Sequence, residues 1–190
     1  MQFLTYLYSL PQTVFTVDEL ALFFPGVTTP LLRKRAHYFI KTNKLLRPRP
    51  GVYTKPHFDR LELANKIYSP SYISFQTVLQ NAGMIFQPYE TIYLASYLSR
   101  SISIANHTFQ YRKLKPDILL NNTGIIGEHN YSIASKERAF LDTILFYNNY
   151  HIDNLNPLNW DSVNKIGKIY SSITLLKRIN DYYKIYKSNA

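Results

Sequence analysis

The stretch TTPLLRKRAHYFIKTNKLLRPRPGVYT, residues 28–54, decides the fold of the first part of the chain. Its first half predicts a helix over residues 29–43, in which Thr29 is the cap and Pro30 takes the first position, where its fixed φ is favourable. Apolar residues recur there at helical spacing and are expected to face the core: Leu32, Ala36, Phe39 and Ile40. A basic and polar set lies away from that apolar stripe, with Arg35 near its edge: Arg33, Lys34, His37, Tyr38 and Lys41.

The second half of the stretch predicts a β-hairpin. Residues 44–47 favour a strand, Pro50-Gly51 suits the centre of a type II turn, and residues 52–54 return antiparallel. Proline within a strand indicates an edge strand, because proline gives up a hydrogen-bond donor of the ladder. Arg47 and Arg49 are therefore expected on a stiff edge beside the basic helix.

Two further helices are expected before this stretch. Residues 2–10 favour a short helix that ends at Pro11. Residues 16–24, TVDELALFF, follow with a capping box between Thr16 and Glu19. Three helices and a hairpin predict a winged helix-turn-helix over residues 1–56, whose third helix enters the major groove while the wing touches phosphate or the minor groove.

The net charge of +10 is concentrated in this region. Residues 1–60 hold 9 Lys and Arg against 3 Asp and Glu, which leaves +6 for this third of the chain. Basic clusters gain affinity for polyanions by releasing condensed counterions. A nucleic-acid partner is therefore expected for the N-terminal region.

Residues 57–190 predict an α+β domain with a mixed or antiparallel sheet flanked by helices. Helices are expected over residues 57–68, after Ser74 up to Gly83, after Ser135 over residues 136–147, and over residues 159–187. Short β-prone runs stand between them at 91–97, 101–105, 107–114, 117–120 and 130–134. The chain is therefore divided at residues 56 and 57.

Several segments resemble, in this order, the AbiEi family of antitoxins. They are GVYTKP (51–56), SPSYISFQTVLQNAGMI (69–85), TIYLAS (91–96), FQYRKL (109–114) and YSIASKERAFLD (131–142). In the last motif, Lys136 stands where the family usually has proline, and Arg138 where it has lysine. The resemblance covers most of residues 10–145.

The resemblance implies a bacterial type IV toxin–antitoxin system linked to phage defence. The N-terminal domain would repress its own operon by binding double-stranded operator DNA. The C-terminal domain would counteract a nucleotidyltransferase-like toxin, and a stable complex with that toxin is not required. The alternative is a stand-alone winged-helix transcriptional regulator, whose second domain senses a ligand or dimerises.

The DNA-binding residues expected from these arguments lie on the third helix and on the wing: Thr29, Arg33, Lys34, Arg35, His37, Tyr38, Lys41, Arg47 and Arg49. Arg or Lys can read guanine, whereas Tyr or Lys can hold phosphate. The charged helix face could instead be merely solvated. Tyr53 is expected to pack the wing on the core.

Catalysis is not expected. The chain has no cysteine and no Walker loop, dinucleotide fingerprint, nucleophile elbow or HExxH motif. Neither a cofactor nor a metal is expected, and Glu137 and Asp142 are expected to be structural, with Asp142 paired to Arg138. A metal-dependent nuclease using Asp117, Glu128 and Lys136 is the rival from another class.

The expected location is the cytoplasm, with no membrane partner. The apolar first ten residues lack a basic n-region and are too short to span a bilayer.

Overall fold

The computed structural model describes residues 3–128 and 130–189. These residues form an α+β fold in which helices pack on a three-stranded antiparallel sheet and on a six-stranded mixed sheet. The predicted α+β class is therefore confirmed.

The first 54 residues supply three helices and the smaller sheet. In chain order the elements are α1 (Phe3–Ser9), β1 (Val14–Thr16), α2 (Val17–Phe23), α3 (Thr29–Lys41), β2 (Leu46–Arg49) and β3 (Val52–Thr54). The strand order is β1-β3-β2, so β2 is an edge strand, as its proline predicts. Gly51, with φ of +81°, lies between β2 and β3 in the left-handed conformation that a type II turn requires.

Helix α2 begins at the predicted capping box. The backbone N–H of Glu19 donates to Thr16 Oγ1 (3.2 Å), and that of Thr16 donates to Glu19 Oε2 (2.8 Å). Strand β1, which comes directly before it and pairs with β3, was not predicted.

The remaining elements belong mainly to the larger sheet and the helices that cover it. They are α4 (Arg60–Ile67), β4 (Ser71–Ile73), α5 (Phe75–Asn81), β5 (Ile92–Ser96), β6 (Arg100–Ile104), β7 (His107–Lys113), α6 (Pro116–Leu119), β8 (Ile125–Glu128), β9 (Tyr131–Ala134), α7 (Lys136–Phe146), α8 (Trp160–Gly167) and α9 (Ile173–Asn189).

The larger sheet has the strand order β6-β7-β5-β4-β9-β8. The pairs β4–β9 and β5–β7 are parallel, and the other neighbours are antiparallel. Strand β6 pairs with β7 along its whole length and forms one edge of the sheet.

Two predictions for this region are wrong. Residues 117–120 belong to helix α6 and the residue after it, because Pro116 starts a helical turn that buries Ile118 and Leu119. The last helical stretch is two helices, since a 3-10 turn and Ser171, with φ of +47°, separate α8 from α9.

Two apolar clusters make up the core. The smaller cluster joins α1–α3 and the hairpin through buried side chains that include Leu20, Leu32, Ala36 and Leu45. The larger cluster fills the space between the six-stranded sheet and its helices, and it also takes in Val14 and Val52. The division of the chain at residues 56 and 57 stays a prediction.

Polar contacts join the first 54 residues to α4. The amide and hydroxyl of Thr13 donate to Glu62 Oε2 at 2.8 and 2.6 Å. Lys66 Nζ donates to the Val14 carbonyl (2.7 Å) and lies 2.8 Å from Glu19 Oε1 and 3.0 Å from Glu62 Oε1. Because Glu62 is only 1% exposed, these contacts fix α4 against β1.

Over the described part of the chain, none of the helices combines the length and the hydropathy that crossing a membrane requires.

Candidate nucleic-acid interface

Helix α3 has an apolar inner face and a basic outer face. Leu32 and Ala36 are fully buried in the smaller cluster. On the opposite side, the side chains at i, i+3, i+4 and i+7 form one exposed stripe: Lys34, His37, Tyr38 and Lys41. The ring of Tyr38, which is 63% exposed, stands out from this stripe. The predicted separation of the two faces is therefore confirmed.

Arg33 and Arg35 flank this stripe on opposite sides, and both are exposed. Among the described residues, none of the four cations of α3 forms an ion pair with a carboxylate. The positive charge of this face is thus available to an external anion.

The start of α3 differs from the prediction. The N-cap is Thr28 rather than Thr29, and its side chain makes no capping hydrogen bond. Thr29 is the first helical residue and is half-buried. The shift arises because Thr28 is still extended, with ψ of 147°, while its carbonyl already accepts from the N–H of Leu32 (3.0 Å).

The two arginines of the hairpin have different surroundings. Arg47 is exposed, whereas Arg49 is half-buried, with its guanidinium 5.1 Å from the centre of the Tyr68 ring. Tyr53 is 3% exposed and belongs to the smaller cluster, as predicted. The hairpin therefore presents Arg47 to solvent and Arg49 to the segment after α4.

Tyr68 also contacts the larger sheet, and the sequence analysis did not single this residue out. Its hydroxyl accepts a hydrogen bond from Arg100 Nη1 at 3.0 Å, and its ring meets Tyr111 edge-on at 4.9 Å. The Arg100 guanidinium holds the pKa of Tyr68 below its ordinary value. Arg49 and Arg100 come together only through the tertiary fold, so no local sequence pattern could have found this contact.

A second group of polar residues is buried in the larger cluster. Asp142 accepts hydrogen bonds from the hydroxyls of Ser74 (2.7 Å), Tyr170 (2.7 Å) and Tyr72 (3.0 Å). Arg138 Nε lies 3.7 Å from Asp142 Oδ1, and neither side chain is exposed to solvent, which confirms the predicted pair.

Burial raises the pKa values of Asp142 and Tyr72, because the charged form of each is costly away from water. Arg138 and the hydroxyl donors oppose this effect at Asp142. Since no solvent reaches the Asp142 carboxylate, this group holds elements together rather than meeting a substrate.

The residues of the rival nuclease hypothesis do not form a described centre. Asp117 is an exposed residue in the first turn of α6, and Lys136 is the first residue of α7. The side chain of Glu128 and the whole of His129 lie outside the described residues. Among the residues that the structure describes, no group of three or more acidic or histidine side chains is arranged to hold a metal ion.

The sequence matches no protein-family model, and it matches no curated protein. The α3 face and the hairpin thus define the candidate site by their geometry and charge alone.

Proposed function

We propose that the chain is a transcriptional repressor that binds double-stranded operator DNA through the outer face of α3 and the β2–β3 hairpin, and that it also acts as an antitoxin. The observation that carries the DNA-binding role is the exposed face of α3, whose cations have no carboxylate partner among the described residues.

The order of elements supports a winged helix-turn-helix in the first 54 residues. Helix, strand, two helices and a hairpin follow one another, and the first strand closes a small sheet with the hairpin. In such a fold the third helix lies in the major groove and the hairpin lies along the backbone or in the minor groove. Here these elements are α3 and β2–β3.

The residues of α3 and Arg47 of the hairpin have distinct roles in this proposal. The outer stripe of Lys34, His37, Tyr38 and Lys41 faces the groove, where cations and the tyrosine hydroxyl can hold phosphate. Arg33 and Arg35, at the two flanks, are placed to reach guanine edges or the strands beside the groove. Thr29 offers its backbone amide in the first turn of α3 to a phosphate. Arg47, on the hairpin, contacts the backbone or the minor groove.

A pair of charge-matched variants tests this role. Lys34→Ala with Lys41→Ala should flatten the slope of log K against log salt by up to about 1.8, since each lost phosphate contact removes about 0.9. Lys165→Ala with Lys177→Ala removes the same charge from exposed positions on α8 and α9 and should leave the slope unchanged. The slope is measured by fluorescence anisotropy with duplex DNA from upstream of the chain's own gene. Equal slopes for both variants would contradict the proposal.

The antitoxin role is proposed from the resemblance to the AbiEi family. The motifs of this chain that resemble the family are far apart in sequence but contact one another in the fold. This contact supports the interpretation that they belong to one structural unit. Tyr72 and Ser74 come from one motif and contact Asp142 of another. The toxin partner would be nucleotidyltransferase-like, and counteracting it would not need a stable complex.

Co-expression with a neighbouring nucleotidyltransferase gene tests the antitoxin role. Growth should be restored by the wild-type chain and also by the Lys34→Ala, Lys41→Ala variant, because those residues serve DNA binding. If neither restores growth, the antitoxin role is refuted while DNA binding can still be measured.

A stand-alone regulator with a ligand-sensing second domain is the alternative, and one cavity favours it. The cavity, of about 470 Å³, lies between α9 and the segment 148–155, and is lined by His151, Arg178 and Asp181 among others. This volume is in the range of small-molecule sites. A small molecule that changes operator affinity, without any rescue from a toxin, would favour this alternative.

A further inference from the structure

Two arginines from different sheets converge on one tyrosine, Tyr68. Arg49, at the end of β2, stacks over the Tyr68 ring at 5.1 Å, and Arg100, at the start of β6, donates to the Tyr68 hydroxyl at 3.0 Å. The Tyr68 ring also packs edge-on against the buried Tyr111, whose hydroxyl donates to the Ala64 carbonyl at 2.7 Å. The two guanidinium groups are therefore held in place by a rigid ring.

The charge of this pair is not balanced. In the described chain, neither Arg49 nor Arg100 has a carboxylate within ion-pair distance, whereas the buried Arg138 and the less exposed Lys66 do. A neutral tyrosine hydroxyl can accept hydrogen bonds but cannot offset two positive charges that repel each other. The arrangement therefore favours a bound anion.

The acidic residues described near Tyr68 do not balance the charge of Arg49 and Arg100. Asp18 and Glu19 line a cleft beside Tyr68. Glu19 is bonded to Lys66 and to the amide of Thr16, and Asp18 is exposed and makes no described ion pair. Among the described residues, no carboxylate therefore balances the charge of the pair, and an anion from outside the chain can do so.

We propose that Arg49 and Arg100 together bind a backbone phosphate of the DNA duplex that α3 holds, so that the DNA surface continues from the hairpin onto the edge strand β6. This inference rests on the proposed DNA-binding function. Guanidinium groups suit phosphate because their planar forks donate two hydrogen bonds at once.

The neighbourhood of Arg100 fits a DNA backbone better than a small free anion. Arg49 belongs to the same hairpin as the exposed Arg47, so one duplex can meet both residues. On the other side, the backbone N–H of Lys113 donates to Ser99 Oγ (3.0 Å), which places a further exposed lysine next to Arg100. A line of cations thus runs from the hairpin along one end of the larger sheet.

Arg100→Ala in the full chain tests the assignment with a mixed-sequence DNA duplex, because phosphate contacts do not depend on sequence. Between about 50 and 200 mM salt, the slope of log K against log salt should fall by about 0.9. The melting temperature should stay unchanged, since Arg100 is exposed. Arg100→Lys should keep the slope because it keeps the charge.

Two further variants separate contact from positioning. Tyr68→Phe keeps the ring under Arg49 but removes the hydroxyl that orients Arg100, so affinity should fall while the salt slope is kept. Arg60→Ala is the control, because it removes an exposed arginine near Asn106 and His107, which follow the opposite end of β6. This variant should change neither the affinity for DNA nor the salt slope.

The outcomes separate this inference from the proposed function. If the Lys34→Ala, Lys41→Ala variant flattens the slope and Arg100→Ala does not, DNA binding stands and the role of Arg100 is refuted. If neither variant changes the slope, both are refuted. If inorganic phosphate raises the melting temperature of the wild type but not of Arg100→Ala, while the DNA slope is the same for both, the pair binds free phosphate and the DNA assignment is wrong.

Discussion

Replacing Arg138 by methionine should destabilise the fold more than any other single change considered for this chain. The guanidinium donates to the carbonyls of Ile118 (2.7 Å) and Thr123 (2.9 Å), to the Tyr72 hydroxyl (3.1 Å), and lies 3.7 Å from the Asp142 carboxylate. The methionine side chain fills similar space but offers no donor. It therefore removes one donor from each of two carbonyls and leaves the buried Asp142 carboxylate with three hydroxyl donors but no cation.

The expected cost follows from these contacts. Breaking a buried ion pair by removing one partner costs about 3–5 kcal/mol, because the remaining charge stays buried without its counter-charge. Since a domain is stable by only about 5–15 kcal/mol, this is a large part of the total. For a chain of this size the melting temperature should fall by about 6–20 °C, at about 2–4 °C per kcal/mol.

Urea denaturation followed by circular dichroism measures the change. Arg138→Lys is the matched control: it keeps the charge near Asp142 but loses the planar fork that reaches the carbonyls, so its cost should lie between wild type and Arg138→Met. If Arg138→Met were within about 0.5 kcal/mol of wild type, as an ordinary surface change is, the assigned role of the buried pair would be wrong.

Two other substitutions test the remaining contacts. Glu62→Gln should lower the free energy of unfolding by about 1–3 kcal/mol in urea denaturation, because the buried carboxylate accepts both hydrogen bonds of Thr13 and its charge faces Lys66. Glu90→Gln, at an exposed position, is the control, and an equal effect of the two variants would contradict the reasoning. Arg33→Ala with Arg35→Ala should weaken operator binding by about 2–6 kcal/mol if both read bases, and a gel-shift titration with unchanged affinity would remove them from the interface.

The features that the sequence predicted well depend on neighbouring residues. The capping box of Thr16 and Glu19, the cap at Ser135 and the Pro50-Gly51 turn each involve residues at most three positions apart. Their chemistry is set by the local backbone, so the sequence pattern suffices.

The features that it missed depend on distant residues. Strands β1 and β4 have three residues each, too few for a periodic pattern, and exist because of partners elsewhere in the chain. Ser74 sits at the predicted start of α5, but its hydroxyl donates to Asp142, 68 residues away, and makes no cap. For the candidate site, the two faces of α3 were predictable from helical spacing, whereas the position of Arg49 on Tyr68 depended on how the two sheets meet.

The strand order of the larger sheet also has a consequence for synthesis on the ribosome. The strands of the smaller sheet all lie within residues 14–54, so this sheet can form early in synthesis. Ile73 of β4, in contrast, can pair with Ile133 only after β9 has been made. The hydrogen bond from the Tyr72 hydroxyl to Asp142 can form only when a further 70 residues have been made. At about 5–20 residues per second, the ribosome needs roughly 4–14 s to make those 70 residues. During that interval β4 can pair with β5 but still lacks β9 and α7, so the apolar surface of β4 and α5 stays incompletely covered. Transiently exposed apolar surface of this kind favours aggregation, which chaperones counteract.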